Sequence, residues 1–284
     1  MKIIADSGST KTDWKIVDNK TIYNLQTVGF SPYLQSGDEI YTILYSEFQK
    51  FEKTNSISLN NISQVYYYGT GCSTDEKQKI VKDALAKVFS QAQIEVEHDL
   101  LAAARALCGK NEGIAAILGT GSNSCYYDGF TIKENVDSVG YFLGDEGSGC
   151  DMGKKLIRAF IYKELPLELE TDFINTYNVN KDEILNAVYH KPFPNRYLAS
   201  FGLFFKKHEQ HIYIRNIIIN SFNEFFIHQV SRYSKHQMVP MHCTGSIGFY
   251  FQDILKEVAA QYKVQMGKNI KSPIDGLLEY HRLS

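Results

Sequence analysis

Two short turns rich in glycine and hydroxyl residues carry the first chemistry in this chain. Asp6-Ser7-Gly8-Ser9-Thr10-Lys11 directly follows the apolar run Ile3-Ile4-Ala5. Gly119-Thr120-Gly121-Ser122-Asn123 directly follows Ile114-Ala115-Ala116-Ile117-Leu118. Glycine allows close approach of the backbone and takes the positive φ that such turns need. Successive N–H groups and hydroxyls then make a concavity that fits a phosphate. Two such nests, one in each half, predict a nucleotide phosphate tail gripped from both sides of a cleft. The first is not a Walker A loop, because G-x-x-x-x-G-K-[ST] is absent. A carboxylate at the strand end, Asp6, could hold a magnesium ion through water. A solvated turn explains the same residues and stays open as an alternative.

Two further acidic positions stand out. Leu143-Gly144-Asp145-Glu146-Gly147-Ser148-Gly149 joins an acidic pair to flanking glycines and leads into a helix, whose N-terminus attracts anions. A plain capped turn needs neither the pair nor so many glycines. Asp99 follows the strand Ile94–Glu97 and His98, and opens an alanine-rich helix over Leu100–Ala106. Read from residue type alone, Asp99 is a helix N-cap, and His98 is a structural histidine.

The elements that must position these residues alternate between strand and helix. Strands are expected at 2–6, 12–17 and 21–28, a helix at 38–53, and a strand at 64–68 that ends in Gly69-Thr70-Gly71. A helix over 74–90 and a short strand over 94–96 complete the first half. The second half repeats the opening. A strand at 113–118 is followed by one at 124–127, which turns across Asp128-Gly129. Helices are expected from Gly147 to about Tyr162, at 181–189, 195–207 and 210–233, and after Pro273. The long one, with Ile217, Ile218, Phe222, Phe225 and Phe226, reads as core or dimer surface. A strand at 240–244 enters Gly245-Ser246-Ile247-Gly248 and a helix to about Tyr262. This order predicts an α/β fold in two halves of similar architecture, 1–112 and 113–284. The final helix has the option of packing back on the first half.

Composition narrows the class. The chain has 284 residues, 44% hydrophobic and 22% charged, with a formal net charge of −2. That balance gives no electrostatic footprint for nucleic acid or an anionic membrane. No apolar run approaches the ~20 residues that span a bilayer. The N-terminus enters a strand directly, not a signal peptide. The 5 cysteines form no C-x-x-C pair, which predicts reduced thiols in a cytoplasmic protein.

The ordered motifs at Asp6–Trp14, Gly119–Asn123 and Leu143–Gly149 are similar to those of N-acetylglucosamine kinases. These belong to the benzoyl-CoA reductase activator-type ATPase group of the sugar kinase, heat-shock and actin superfamily. The resemblance covers nearly the whole chain and looks like the short bacterial form. It implies two ribonuclease-H-like domains flanking an ATP and sugar cleft, with a helical insertion in the second and a homodimer as assembly. It implies ATP and Mg2+ as cofactors, an amino sugar as acceptor, Asp6 at the metal, and Gly8, Ser9, Thr10 and Lys11 as the first phosphate motif. Gly119, Thr120 and Gly121 match the second phosphate motif. Gly245 and Ser246 stand in the adenosine motif. Asp99 matches the base that takes the proton of the sugar 6-hydroxyl. Ser122, Asn123, Asp145 and Gly71 match sugar-side positions, and Cys72 beside Gly71 reads as wall. Ser31 stands where the family commonly has Asn, and its hydroxyl cannot make the two-sided contact of an amide. Two other readings are carried alongside. A reductase activator would need cysteine ligands for an iron–sulfur cluster, and a non-catalytic sensor would have no use for both Asp6 and Asp99.

Overall fold

The computed structural model describes residues 1–8 and 11–282. Two compact units emerge, Met1–Gly109 with Pro273–Ser284, and Lys110–Ser272.

The first unit is built on β1 (Lys2–Ser7), β2 (Lys11–Asp18) and β3 (Thr21–Val28), followed by α1 (Gly37–Asn55), β4 (Gln64–Gly69), α2 (Asp75–Val88), β5 (Gln93–His98) and α3 (Asp99–Cys108). Its sheet runs β3-β2-β1-β4-β5. The first three strands are antiparallel, and β4 and β5 are parallel to β1. Side chains alternate between faces along a strand, and β1 shows the consequence. Ile3 and Ala5 pack with Phe48, Val81 and Leu85 of α1 and α2. Ile4 packs on the other face with Ala102 and Ala106 of α3. Asp6 shares the parity of Ile4, so it emerges on the α3 side.

The second unit contains β6 (Gly113–Leu118), β7 (Ser122–Tyr127) and β8 (Ile132–Asn135). A helical insertion follows: α4 (Gly140–Leu143), α5 (Gly149–Ile161), α6 (Leu167–Tyr177), α7 (Lys181–Tyr189), α8 (Pro194–Ala199), α9 (Gly202–Lys207) and α10 (Ile212–His228). The chain returns through β9 (Met241–Thr244), α11 (Ser246–Tyr250), α12 (Gln252–Gln261) and β10 (Met266–Ile270). This sheet runs β10-β9-β6-β7-β8. Again the first three strands in sequence are antiparallel and the last two are parallel to the first. The units therefore share one strand scheme, and the two glycine turns occupy the same place in it, between first and second strands. The insertion packs on its sheet through an aromatic core that includes Phe160, Phe173, Phe201, Phe204, Phe222 and Phe225.

Several sequence expectations are corrected. The helix expected over 195–207 is two, α8 and α9, interrupted at Ser200 and Phe201. The helix expected over 210–233 ends at His228, and a single 3-10 turn, Val230–Arg232, follows. The long helix α10 is core, since Ile218, Phe222, Phe225 and Phe226 are fully buried. Strand β7 begins at Ser122, not Ser124. Among the described residues no helix is long and apolar enough to cross a membrane.

The last helix, α13 (Ile274–Arg282), belongs to the first unit and packs on α3 and β1. One buried polar chain pins it. Arg105 donates to the Tyr68 hydroxyl at 2.7 Å and to Glu95 at 2.9 Å. With its oxygen so engaged, Tyr68 donates to His281 Nε2 at 2.8 Å. His281 also stacks on Tyr66 at 3.8 Å between ring centroids. Burial, then the Arg105 charge, pulls His281 down from 6.5 to about 4. A base with a lowered folded pKa contributes stability above its unfolded value and loses it as pH falls through the folded one. Between pH 6.5 and about 4, Tm of the wild-type chain should therefore fall more steeply than that of His281→Phe. Parallel curves from a pH series of thermal melts would contradict this.

Candidate active site

In the first unit the strand ends gather the candidate residues. Gly8 donates its N–H to the Lys11 carbonyl at 2.9 Å, which closes the first turn. Ser9 and Thr10 lie outside the described residues. The Lys11 ammonium is exposed and rests on Asp13 at 2.6 Å. Asp6 has Asp13 opposite it on β2 and Tyr68 on β4. Its carboxyl accepts no hydrogen bond among the described residues. Burial, with Asp99 and Asp13 nearby, pushes it up to about 7 against the pull of Lys11. A carboxylate crowded by two others, with no hydrogen-bonded partner among the described residues, suits a site that receives a cation.

Asp99 is the first residue of α3, but it does not cap it. The helix cap is His98, whose Nδ1 accepts from the Leu101 N–H at 3.4 Å. This corrects the reading of Asp99 as N-cap and gives His98 a definite structural role, as expected of it. Freed from the cap, the Asp99 carboxylate accepts from the Thr70 hydroxyl at 2.8 Å. Thr70 in turn donates its N–H to the Ser7 carbonyl at 2.9 Å, so the loop after β4 is fastened to the end of β1. Thr70 was not singled out from sequence. Its only signal was a threonine between two glycines at a strand end.

Gly71 adopts φ +83°, and a Cβ there would lie 3.0 Å from the Tyr33 ring. Tyr33 also meets Ser73, hydroxyl to hydroxyl, at 3.1 Å. The loop that carries Ser31 is thus packed on the loop that carries Gly71. Ser31 is half-buried, with its N–H on Gln35 Oε1 at 2.9 Å and its carbonyl accepting from Leu34 and Gln35. Its hydroxyl makes no hydrogen bond among the described residues. Cys72 is buried, and burial plus the Asp99 charge pushes its thiol up to about 12. It stays protonated and is no nucleophile.

The second unit assembles a comparable cluster. Gly119 donates to the Gly121 carbonyl at 3.0 Å, and the Gly119 and Thr120 carbonyls accept from the first residues of α5, Gly149 and Cys150, at 2.8 and 3.0 Å. A Cβ on Gly121 would sit 2.6 Å from Asp145 Oδ2. The Ser122 N–H bonds the same carboxylate, and burial outweighs that bond and Lys154 to raise Asp145 above its ordinary range. Gly119, Gly121, Ser122 and Asp145 are therefore brought together. Asn123 points to the other face of β7, where its Oδ1 accepts from Ser124 N–H at 2.9 Å and Asn135 at 3.2 Å. Gly245, at φ +111°, packs directly on the Leu118 carbonyl and Gly119 N–H. Ser246 is exposed as the first residue of α11. The Ser122 and Thr244 hydroxyls are buried with no hydrogen-bond partner among the described residues, polar atoms that a ligand would satisfy.

The packing at Gly245 gives a sharp expectation. Gly245→Ala adds a Cβ that overlaps the Leu118 carbonyl, at a φ that L-residues avoid. Two backbone segments would have to part, which costs roughly 2 kcal/mol or more. Purified G245A should melt several degrees below wild type. A variant that melts like wild type would show that the second turn tolerates displacement.

The two units together have the two-domain fold of sugar kinases and actin-like ATPases, with one mixed five-stranded sheet in each. A solved structure from Porphyromonas gingivalis, provisionally described as an N-acetylglucosamine kinase, is 40% identical. It aligns over 100% of this chain and 99% of its own, with a TM-score of 0.94. The chain belongs to the N-acetylglucosamine kinase family. A second structure, from Chromobacterium violaceum and described in the same provisional terms, shares the fold at 14% identity with a TM-score of 0.73, over 98% of each chain. A curated protein of Clostridium acetobutylicum, N-acetylmuramic acid/N-acetylglucosamine kinase, is 26% identical over 205 residues, 69% of this chain. The match spans 66% of that relative's length. No family model matches the chain.

Proposed function

We propose that this protein is a sugar kinase that transfers the γ-phosphoryl group of ATP to the 6-hydroxyl of N-acetylglucosamine. The observation that carries the reading is the Asp99 carboxylate. It is released from helix capping by His98 and aimed by the Thr70 hydroxyl at 2.8 Å. Family membership and the names of the relatives support the sugar and the reaction. The Clostridium relative's name includes N-acetylmuramic acid, so the acceptor class is N-acetylated amino sugars, and Ser31 is a residue that would tune the choice.

Each residue has a chemical task. Asp99 accepts the proton of the 6-hydroxyl as the sugar oxygen bonds to the γ-phosphorus. The bond from that phosphorus to the bridging oxygen breaks, and ADP leaves with its electrons. Phosphoryl transfer asks little more than positioning and charge stabilisation. Gly8, Ser9, Thr10 and Lys11 in the first unit, and Gly119, Thr120 and Gly121 in the second, are the two phosphate motifs, offering N–H groups, hydroxyls and one ammonium. Lys11 would leave Asp13 to meet a phosphate. Gly245 and Ser246 lie under the nucleoside. Asp145 and Ser122 in the second unit, and Ser31 and Gly71 in the first, are the candidate sugar contacts, whereas Asn123 is turned to the other face of β7 with its Oδ1 taken by Ser124 N–H and Asn135. Asp6, half-buried and without a hydrogen-bond partner among the described residues, suits a magnesium ion that would be held by one carboxylate, phosphate oxygens and water. The ion would neutralise charge on the transferring group.

A panel of sugars assayed for ATP consumption tests the proposal. N-Acetylglucosamine or a near relative should stimulate ADP release strongly over the sugar-free rate. ATP turnover that no sugar stimulates would sink the kinase reading in favour of a bare ATPase.

A further inference from the structure

Behind the Gly144–Gly149 turn lies a buried relay between α5 and α10. Asp151 on α5 is only 5% exposed, and Ser221 on α10 is fully buried. The Ser221 hydroxyl donates to Asp151 Oδ2 at 2.6 Å and accepts the Gly147 N–H at 3.1 Å. Lys155, one turn along α5, meets both Asp151 oxygens at 2.6 and 2.7 Å and Glu224 at 2.7 Å. One turn along α10 from Ser221, Phe225 closes on the same glycine. A Cβ on Gly147, at φ +80°, would lie 2.9 Å from the Phe225 Cβ. Residue 147 is thus held by a hydrogen bond and by a wall, both from α10. The Ser148 N–H donates to the Asp145 carbonyl at 3.1 Å, and the Ser148 hydroxyl accepts the Asp151 N–H at 3.1 Å.

The turn so anchored is strained. Asp145 is a non-glycine residue at φ +59°, a conformation that persists only where the surroundings over-determine it. Among the described residues, the backbone group that acts on its carboxylate is the Ser122 N–H. We infer that Asp151 and Ser221 are positioning residues that hold the Asp145 turn in its strained form and thereby set affinity for the sugar. The inference rests on the reading of Asp145 as a sugar contact. Neither residue reaches a substrate. Asp151 takes its charge compensation from Lys155, so a buried anion can serve as the fixed end of the tether. A neutral acceptor would hold Ser221 less firmly, because hydrogen bonds to a charged group are roughly twice as strong.

A double-mutant cycle of four proteins tests this: wild type, Ser221→Ala, Asp145→Asn and the pair. S221A should raise KM for N-acetylglucosamine about tenfold while KM for ATP moves within about twofold. In the D145N background the same change should add little, because both act through one carboxylate. Equal rises in both KM values, or additive effects on the sugar KM, would overturn the inference as mere destabilisation. Hydrogen exchange gives a readout that needs no substrate. The amides of 145–149 should exchange faster in S221A, and unchanged exchange would also overturn it. Faster exchange with a D145N protein of wild-type sugar KM would leave the tether standing and remove Asp145 from the sugar site. Asp151→Asn, which keeps the Ser221 hydroxyl but weakens its acceptor, should give the same pattern at smaller amplitude and serves if S221A does not fold.

Discussion

Asp99→Asn lowers kcat by about a hundredfold or more, with KM for ATP little changed. The substitution is nearly isosteric and spares the structure around it. The amide oxygen still accepts from Thr70, whose hydroxyl now lies at 2.8 Å from the carboxylate. The cap of α3 is untouched because His98 supplies it. What disappears is the capacity to take a proton from the sugar hydroxyl as the new P–O bond forms. A stability effect is therefore not expected, and a Tm close to wild type is part of the result. Steady-state kinetics on both substrates, with a thermal melt of each protein, checks it. Unchanged turnover in a folded variant would remove Asp99 from the mechanism.

Asp6→Asn is expected to act in opposite directions on activity and stability. In the folded chain burial, then Asp99 and Asp13, raises Asp6 from 3.8 to about 7. An acid with a raised folded pKa contributes stability fully below its unfolded value and loses it as pH rises through the folded one. At about pH 8, without a cation, the folded chain must hold a partly desolvated carboxylate ionised beside two others, which costs stability. Asparagine removes that charge, so the metal-free variant should melt several degrees higher than wild type there. Towards about pH 4 the two melting curves should converge, because Asp6 is then protonated in the folded chain. Turnover should fall by about a hundredfold or more, since an amide cannot order the cation that neutralises the transferring phosphoryl group. This is the trade of stability against activity that functional sites show. Equal melting at about pH 8 with retained turnover would contradict both halves of the argument.

The parts of the molecule legible in sequence were those specified by local signals. The glycine turns, the period-2 strand β1 and the helix opening at Asp99 all lie within a few residues of their cause. Strands β8 and β10 were missed because they are edge strands with little apolar pattern, Ile132–Asn135 and Met266–Ile270. They are fixed by backbone pairing to β7 and β9. Helix α6 was missed because Leu165, Leu167 and Leu169 alternate like a strand. Only Leu169 and Phe173, four apart, sit in the core from within that helix.

The site divides in the same way. Asp6, Asp145 and the glycines announce themselves by type and spacing. The residues that orient them come from far along the chain. His98 as cap becomes visible only when its ring is seen on the Leu101 N–H. Thr70 reaches Asp99 across 29 positions, and Ser221 reaches Gly147 across 74. No local pattern encodes either contact. The adjacency of Gly121 to Asp145, and of Gly245 to Leu118, likewise needed the fold.

The product itself decides between phosphoryl transfer to the sugar and bare ATP hydrolysis. The purified chain, incubated with Mg-ATP and N-acetylglucosamine, should give ADP and a phosphomonoester whose 31P signal couples to the two C6 protons of the sugar. The yield should collapse with Asp99→Asn. ATP converted to ADP and inorganic phosphate alone, with the sugar unmodified, would contradict the central claim.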